Sequence, residues 1–346
     1  MAISDEAHTN TPGCRIVPPP VRFLSRPIPA EGEDGVFTQS WFPICRSSEV
    51  GIGKLTPRPF LDGKVIVFRD TEGVAQVLSG YCTHLGADLS RAEVVDSTVR
   101  CPLHRWRWDK QGLCVATGTG LLDDPPRNAR IFSFPTTERF GLVWAFNGIE
   151  PLWEIPSMSS SDDALVWHVG ELGVDMHIDP FVFCANGMDI QHLEALHGVQ
   201  FDPADLVDDR NFLYEKYRAQ IKLRNEFRGE LMETVWSTWG TSFFTLEGEI
   251  DGRWFAIIDG LALPAPGLTQ AFIVGLAERT DDAEADARQA LKAFEWERSV
   301  LLEDIEVLAD LHFRPGPVTR SDTHVARFYE YLRKYPRAHP SRDFIN

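Results

Sequence analysis

Two short Cys-His pairs stand within residues 81–109, "YCTHLGADLSRAEVVDSTVRCPLHRWRWD". Cys82 and His84 enclose one residue, Cys101 and His104 enclose two, and sixteen residues separate His84 from Cys101. Thiolate and imidazole side chains in groups of four are typical of metal sites. Each pair mixes the two ligand types, whereas structural zinc sites of the finger type usually pair like with like. The stretch therefore predicts a metal centre held by two loops.

The mixed pairs favour a two-iron, two-sulfide cluster over zinc. Each loop can give its Cys to one iron and its His to the other, and neutral imidazoles leave the oxidised cluster less negative than four thiolates would. We interpret the pattern C-x-H-x16-C-x2-H as a Rieske [2Fe-2S] signature, with structural zinc as the alternative. Gly86 and Pro102 suit tight turns around such a cluster. Trp106 and Trp108 either shield it from water or belong to an ordinary core.

A second group of metal-binding side chains lies in "NGMDIQHLEALHG", residues 186–198, which is predicted to be helical. It contains Asn186, Asp189, His192 and His197, and Asp189 and His192 are spaced to share a helix face. The two histidines are five positions apart, so on a regular helix they would point about 140° away from each other. Both can bind one metal only if the helix bulges or unwinds between them. The alternative is two unrelated histidines.

Two histidines need a carboxylate to complete the facial triad that holds ferrous iron. On a helical wheel for residues 294–311, Asp304 falls in the middle of the apolar face, where an acidic residue without a partner is costly. We predict Asp304 as the third iron ligand, with Glu297 in reserve and a buried salt bridge as the alternative. The other carboxylates fall in a polar arc: Glu295, Glu303, Glu306 and Asp310.

Composition limits the class of protein. The 346 residues carry a net charge of -17, which argues against a nucleic-acid partner because a phosphate backbone would be repelled. No apolar run approaches the length of about 20 residues that crosses a bilayer. The six cysteines suggest no disulfide framework, and no targeting segment is recognised at the start. We expect a soluble, cytoplasmic protein.

The sequence predicts an α+β protein in three parts. Residues 1–39 are rich in Pro, Gly and charge and indicate an extended arm. Residues 40–150 contain short strands, such as "GKVIVFRD" and "GVAQVLSG", and predict a small antiparallel β domain. Residues 151–346 combine helices with strands in "FRGELMETVWSTWGTSFFTLEGEIDGRWFAIIDGLAL", and a long amphipathic helix is predicted at 281–313.

These motifs together resemble one family, the oxygenase components of Rieske non-haem iron oxygenases. The similarity runs from about residue 40 to 335 and rests on "YCTHLGADLS", "CPLHRWRWDKQGLC", "ERFGLVWAFNG" and "NGMDIQHLEALH". It is stronger to the 3-ketosteroid 9α-hydroxylase, cholesterol 7-desaturase and aminopyrrolnitrin oxygenase branches, whose tails resemble "LLEDIEVLADLHFRPGPVTRSDTHVARFYEYLRKY". The resemblance implies a helix-grip (START-like) catalytic domain with an antiparallel sheet and flanking helices. Ala185 occupies a position at which the family usually has Glu.

The resemblance also implies roles for the candidate residues. The cluster would be held by Cys82, His84, Cys101 and His104, and a mononuclear Fe(II) by His192, His197 and Asp304. Asn186 and Asp189 would be the catalytic residues, with Asp189 bridging to a cluster histidine of the neighbouring subunit in a homotrimer. A carboxylate suits that role because it accepts the outer N–H of a ligand imidazole. The alternative for Asp189 is a helix-start carboxylate.

The implied activity is oxidation of an organic substrate with O2. The chain lacks a G-x-G-x-x-G after a strand, so electrons from NAD(P)H would arrive through a separate reductase or ferredoxin. The substrate is expected to be a bulky hydrophobic or polycyclic small molecule that is hydroxylated, desaturated or N-oxygenated. Several aromatic residues either line its pocket or fill the sheet core: Trp236, Trp239, Phe243, Phe244 and Trp254. Two other readings are an electron-transfer Rieske protein without oxygenase activity and a zinc-stabilised helix-grip ligand-binding protein.

Overall fold

The computed structural model describes residues 26–118, 124–227, 229–250, 252–309, 311–316 and 319–346. Asp310 and the first 25 residues of the predicted arm lie outside these ranges. Within the described residues, no helix combines the length and the apolar character that crossing a bilayer requires.

Short antiparallel strands build the first half of the chain, as predicted. "GKVIVFRD" and "GVAQVLSG" form a hairpin whose turn is closed by a hydrogen bond from the backbone N of Asp70 to the carbonyl of Val74. The strands are β1 (Phe37–Thr38), β2 (Trp41–Arg46), β3 (Leu55–Phe60), β4 (Gly63–Arg69), β5 (Ala75–Ser79), β6 (Glu93–Val95), β7 (Thr98–Arg100), β8 (Arg107–Trp108), β9 (Cys114–Ala116), β10 (Thr136–Arg139) and β11 (Leu142–Phe146). Three sheets result, with the orders β10-β11-β2, β3-β4-β5 and β6-β7-β8-β9.

The second half is an antiparallel sheet with helices, which confirms the α+β prediction. Its elements are β12 (Leu165–Met176), α1 (Pro180–Asn186), α2 (Ile190–Ala195), β13 (Gln200–Phe201), β14 (Phe212–Glu215), β15 (Arg218–Phe227), β16 (Glu230–Trp239), β17 (Phe243–Ile250), β18 (Arg253–Ala265), β19 (Leu268–Glu278), α3 (Ala283–Leu308), α4 (Thr323–Lys334), β20 (Arg337–Ala338) and α5 (Arg342–Ile345). The sheet order is β12-β19-β18-β17-β16-β15-β13, and β14 also pairs with β15.

The long helix α3 lies against this sheet. It begins after Asp282, whose side chain accepts a hydrogen bond from the backbone N of Ala285, and it ends at Leu308. Gly275 of β19 permits the close approach, because a Cβ there would stand 2.2 Å from the carbonyl oxygen of Ala290. The helix buries a stripe at three- and four-residue spacing: Asp286, Ala290, Ala293, Glu297, Leu301, Asp304 and Leu308. The wheel therefore placed Asp304 on the correct face.

The described part of the predicted N-terminal arm is packed rather than extended. Ile28 and Phe37 are buried, and β1 pairs with β20 near the C-terminus. The buried carboxylate of Glu31 accepts hydrogen bonds from the backbone N and the hydroxyl of Thr38. Residues 30–38 thus contact a segment about 300 positions later, which the local Pro and Gly content does not indicate.

Separate hydrophobic cores hold the two groups of candidate residues. Cys82 and Cys101 belong to a core made of residues 66–131, whereas Leu193 and Leu301 belong to the core of the large sheet and its helices. A third core joins β2 and β11 to β17 and β18. The two candidate centres of one chain are therefore built into different cores, with the junction of the two halves formed by a third.

Candidate metal centres

The two Cys-His loops of the first candidate centre are each closed by the same pattern of backbone hydrogen bonds. The N–H of Gly86 donates to the carbonyl of Cys82, and the N–H of Arg105 donates to the carbonyl of Cys101. Each cysteine N–H in turn donates to the carbonyl of the residue five positions later. Gly86 and Arg105 both have a left-handed backbone conformation, with φ of 73° and 60°. The sequence thus forms two similar loops, one with Gly at the strained position and one with Arg.

The loops direct their cysteines inward and their histidines outward. Cys82 and Cys101 are each 1% exposed, and burial raises the pKa of the Cys82 thiol to about 11, with a further contribution from the neighbouring Cys101 thiol. The His84 and His104 rings lie side by side, with centroids 4.7 Å apart. Trp106 stacks on His84 at a centroid distance of 4.1 Å, so it does shield one face of the site.

The chemistry of this group fits an iron-sulfur cluster. Within the described residues, the buried Nδ1 of His84 and the buried Nε1 of Trp108 have no hydrogen-bond partner. Buried polar atoms in folded proteins normally have one, so these orphaned atoms mark a place for a bound group. Two buried thiols and an orphaned imidazole nitrogen beside them are the donor set of a mixed Cys-His cluster.

The second centre is assembled by two short helices joined by a tight turn. α2 ends at Ala195, so His197 lies beyond the helix, and Gly198 reverses the chain with a φ of 69°. The unwinding between His192 and His197 that the five-residue spacing required is therefore a helix end, and no π-bulge is needed. Both imidazoles consequently face the buried stripe of α3.

Three ligand atoms converge at this place. Oδ1 of Asp304 lies 2.7 Å from Nε2 of His192 and 3.0 Å from Nε2 of His197, and the two Nε2 atoms are 3.1 Å apart. Neighbouring ligands on one face of an octahedral ion with bonds of about 2.0–2.2 Å lie about 2.8–3.1 Å apart. The spacing therefore matches a facial 2-His-1-carboxylate site.

The remaining hydrogen bonds prepare both imidazoles for a metal. Nδ1 of His192 lies 3.3 Å from the carbonyl oxygen of Asn186, and Nδ1 of His197 lies 3.0 Å from Oε2 of Glu303. Each acceptor takes the Nδ1–H, so each Nε2 is left with a lone pair facing the Asp304 carboxylate. Lone pairs and a carboxylate repel one another unless a cation lies among them, so the residues fit a metal ion.

The pKa shifts of Asp304 and His197 also indicate that this place favours a positive charge. Burial raises the pKa of Asp304, but the close contacts of its carboxylate with the His192 and His197 imidazoles outweigh burial and hold the pKa below its usual range. Burial opposes protonation of His197, yet its contacts with Asp304 and Glu303 raise its pKa. Both shifts show a site that favours positive charge between these side chains.

Glu303 is a functional candidate that sequence reasoning missed, since the helical wheel placed it in the polar arc. Glu303→Ala should weaken binding of Fe2+ by about 10–100-fold, because the outer hydrogen bond that orients His197 is lost. Glu303→Gln keeps an acceptor oxygen and should lose less. Titration of Fe2+ against a competing chelator measures both variants; equal affinity in Glu303→Ala and the unmodified protein would show that the contact does not orient the ligand.

The reserve candidate Glu297 is not part of the three-atom group. It faces the buried carboxyl of Asp259. Burial raises the pKa of Glu297 to about 7, and burial together with the Glu297 carboxyl raises the pKa of Asp259 well above its usual range. Ionisation of both buried carboxyls together is therefore disfavoured.

The structure places the two predicted catalytic residues at the ends of the short helices. Asn186 ends α1, and its Nδ2 lies 3.3 Å from Oδ1 of Asp304. Asp189 caps α2 by accepting a hydrogen bond from the backbone N of His192 at 3.1 Å. Asp189 thus precedes the helix instead of sharing a face with His192. The cap uses one of its two carboxylate oxygens.

A small cavity opens beside the three ligand atoms. Of the predicted pocket aromatics, Trp236 and Phe244 line it, together with Phe183, Phe227 and Trp296. Trp239 and Trp254 instead line a groove on the other side of the sheet, and Phe243 lies in the core that joins the two halves. The cavity is thus an apolar space with the candidate metal ligands in its wall.

Comparison with known proteins agrees with this reading of the first domain. The Rieske [2Fe-2S] domain family matches residues 40–120. The cholesterol 7-desaturase of Bombyx mori is 31% identical over 46% of this chain and 36% of that protein. The 3-ketosteroid-9-alpha-monooxygenase oxygenase component of Rhodococcus rhodochrous is 33% identical over 59% of this chain and 48% of that protein. The aligned part thus spans between a third and a half of these curated relatives.

Solved structures share the whole fold. Dicamba monooxygenase bound to dicamba superposes with a TM-score of 0.62 at 19% identity, covering 86% of this chain and 97% of that chain. NdmA of Pseudomonas putida CBB5 with caffeine superposes with a TM-score of 0.65 at 18% identity, covering 85% and 89%. The chain thus carries a Rieske [2Fe-2S] domain at residues 40–120, is similar in sequence to oxygenase components over about half of its length, and shares most of its fold with dicamba monooxygenase and NdmA.

Proposed function

We propose that this protein is the terminal oxygenase of a multi-protein system that oxidises a bulky apolar substrate with O2. Electrons from NAD(P)H would reach it through a separate reductase or ferredoxin. The observation that carries the proposal is the octahedral-face spacing of His192, His197 and Asp304 at the wall of an apolar cavity. A Rieske domain in the same chain gives that site a source of electrons.

We assign the metal ligands as the sequence suggested. Cys82, His84, Cys101 and His104 would hold the cluster, and His192, His197 and Asp304 would hold mononuclear iron. A ferrous ion bound there would supply open positions for O2. The Asn186 carbonyl and the Glu303 carboxylate orient the two imidazoles through their Nδ1 atoms. The apolar wall of the cavity excludes water and holds the substrate beside the site.

The names of the relatives support an apolar small-molecule substrate. They include a cholesterol desaturase, an aminopyrrolnitrin oxygenase and a 3-ketosteroid monooxygenase, and the solved structures hold dicamba or caffeine. Monooxygenation is the proposed reaction, with desaturation or N-oxygenation as the outcomes to be distinguished from it.

We further propose a homotrimer in which the cluster of one subunit serves the iron of the next. Two observations support it: the candidate centres lie in separate cores of the chain, and the tips of both cluster loops expose apolar side chains, Leu85 at 69% and Leu103 at 55%. Exposed apolar residues beside two ligand histidines suit a subunit contact. Asp189, one oxygen of which is used by the helix cap, is the proposed bridge to a cluster histidine.

A reducing compartment such as the cytoplasm is also proposed. The five cysteines in the described residues are free thiols, and each is buried. Two of them are the proposed cluster ligands, which must remain reduced to bind iron.

One preparation tests the function. The purified protein should show the visible absorption of a Rieske cluster, contain a third iron per chain, and consume O2 with a reductase, NADH and a panel of polycyclic substrates. Product mass distinguishes added oxygen from lost hydrogen. A colourless, zinc-loaded protein would support the ligand-binding alternative, and a coloured protein without the third iron would support the electron-transfer alternative.

A further inference from the structure

Asn225 is one of the polar side chains that line the cavity, which also include Asn186, Thr234 and Glu297. Strand β15 alternates regularly, and its inward positions are Ala219, Ile221, Leu223, Asn225 and Phe227. Asn225 is 2% exposed and lines the cavity, although the positions on either side of it are hydrophobic. A buried amide among apolar neighbours is costly unless its polar atoms have partners.

A hydrogen-bond chain on the neighbouring strand fixes the orientation of this amide. The indole Nε1–H of Trp236 donates to Oγ1 of Thr234 at 2.6 Å, and the Thr234 hydroxyl donates to Oδ1 of Asn225 at 2.6 Å. Because the Thr234 oxygen accepts the indole N–H, its single hydroxyl hydrogen is free to be donated, and it is donated to an acceptor atom of Asn225. The Asn225 oxygen therefore faces Thr234, and the NH2 group points away from it.

Within the described part of the chain, the NH2 group of Asn225 is left without a protein acceptor at the cavity wall. The hydrogen bonds of the described residues include no protein acceptor for Nδ2 of Asn225, while Oδ1 is occupied by Thr234. Thr234 and Trp236 line the same cavity, so all three residues of this hydrogen-bond series lie at the cavity wall. An amide whose N–H groups have no protein acceptor is set to bind an acceptor on a ligand.

We propose that Asn225 recognises a carbonyl-type oxygen on the substrate, so that the cavity selects a rigid apolar molecule with a hydrogen-bond acceptor over its hydrocarbon analogue. Thr234 is a positioning residue, because its hydroxyl holds the amide oxygen and turns the NH2 group toward the ligand. This inference rests on the proposed function, since it names the substrate class of the proposed active-site cavity.

The test compares two flat tricyclic probes that differ only in the acceptor, 9-fluorenone and fluorene. Equilibrium dialysis is done without O2 and reductase on the protein with both metals bound, so that binding is measured without turnover. The unmodified protein should bind the ketone about tenfold more tightly, as expected for one neutral hydrogen bond to an otherwise unsatisfied buried donor. Asn225→Leu keeps the size of the side chain and should remove this preference while still binding fluorene.

Three further variants separate recognition from packing. Leu223→Val changes the adjacent inward position of the same strand and should alter the binding of both probes by the same factor. Thr234→Ser keeps the hydroxyl and should preserve the preference for the ketone, whereas Thr234→Val should reduce it. Equal binding of the probes by the unmodified protein, a preference that survives Asn225→Leu, or failure of both probes to bind would overturn the proposal.

The outcome is distinguishable from failure of the proposed function. A protein that prefers the ketone through Asn225 but never consumes O2 would support the recognition site and reject the oxygenase. Efficient oxidation of hydrocarbons without an acceptor, at rates unaffected by Asn225→Leu, would support the oxygenase and reject the recognition site.

Discussion

Asp304→Ala should empty the iron site and abolish O2-dependent product formation while the visible spectrum of the iron-sulfur cluster stays unchanged. Asp304 supplies the one carboxylate oxygen that lies within 3.0 Å of both imidazole Nε2 atoms. Without it two neutral ligands remain, and the loss of metal affinity should exceed the 10–100-fold (about 1.4–2.7 kcal/mol) typical of outer hydrogen-bond partners. Iron per chain after gel filtration, measured beside cluster absorbance, is the readout.

Matched variants make this result specific. Glu306→Ala removes an exposed carboxylate from the same helix and should keep the full iron content. Asp304→Asn keeps the volume of the buried side chain, so that loss of iron in this variant reflects the charge rather than the packing of α3. Full iron content in Asp304→Ala combined with loss in Glu297→Ala would instead make Glu297 the ligand.

The sequence could predict those features that depend on a regular period or a dense motif. The 3.6-residue period of α3 placed Asp304 on the buried stripe, because a long helix keeps its phase over many turns. The β-branched residues of "GKVIVFRD" and "GVAQVLSG", with the turn signal "TEG" between them, predicted the β4-β5 hairpin. The Cys-His spacing led to the Rieske domain, since four ligands in one short stretch leave few alternatives.

Features that arise from contacts between distant segments could not be read from the sequence. Glu303 lies on the border of the polar arc, and the tertiary fold brings it to His197, which is 106 positions away in the sequence. The sequence around Asn225 does not distinguish it from other polar residues. Its role follows from the pairing of β15 with β16, which places it among inward-facing apolar positions. Local composition likewise predicted an extended arm at residues 1–39, whereas Phe37 and Thr38 pair with the C-terminal segment.

Asp189→Asn should leave both metals bound and the fold intact, yet reduce coupled turnover by at least about 100-fold (about 2.7 kcal/mol), the larger effect seen when a partner of a ligand histidine is lost. Asn is as good a helix cap as Asp, so its oxygen can still accept the backbone N–H of His192. The second oxygen is replaced by an NH2 donor, which cannot accept the N–H of a cluster histidine. Stopped-flow reoxidation of the reduced cluster, in the presence of substrate and O2, measures the step directly.

The choice of substitution separates the two roles that a carboxylate can have at this position. If Asp189 only caps α2, Asp189→Asn and Asp189→Ser should both retain turnover, because each supplies a capping oxygen, and Asp189→Ala alone should lose about 1 kcal/mol of stability. If Asp189 is the bridge, all three variants should fail in cluster reoxidation, although two of them keep the cap.

Co-assembly of Asp304→Ala subunits with Cys101→Ser subunits then tests electron transfer between chains. A cluster from the first kind of subunit and an iron from the second can meet only across a subunit contact. Recovered activity in the mixture requires such a contact, and its absence, with the metals verified in each parent, would confine electron transfer to a single chain.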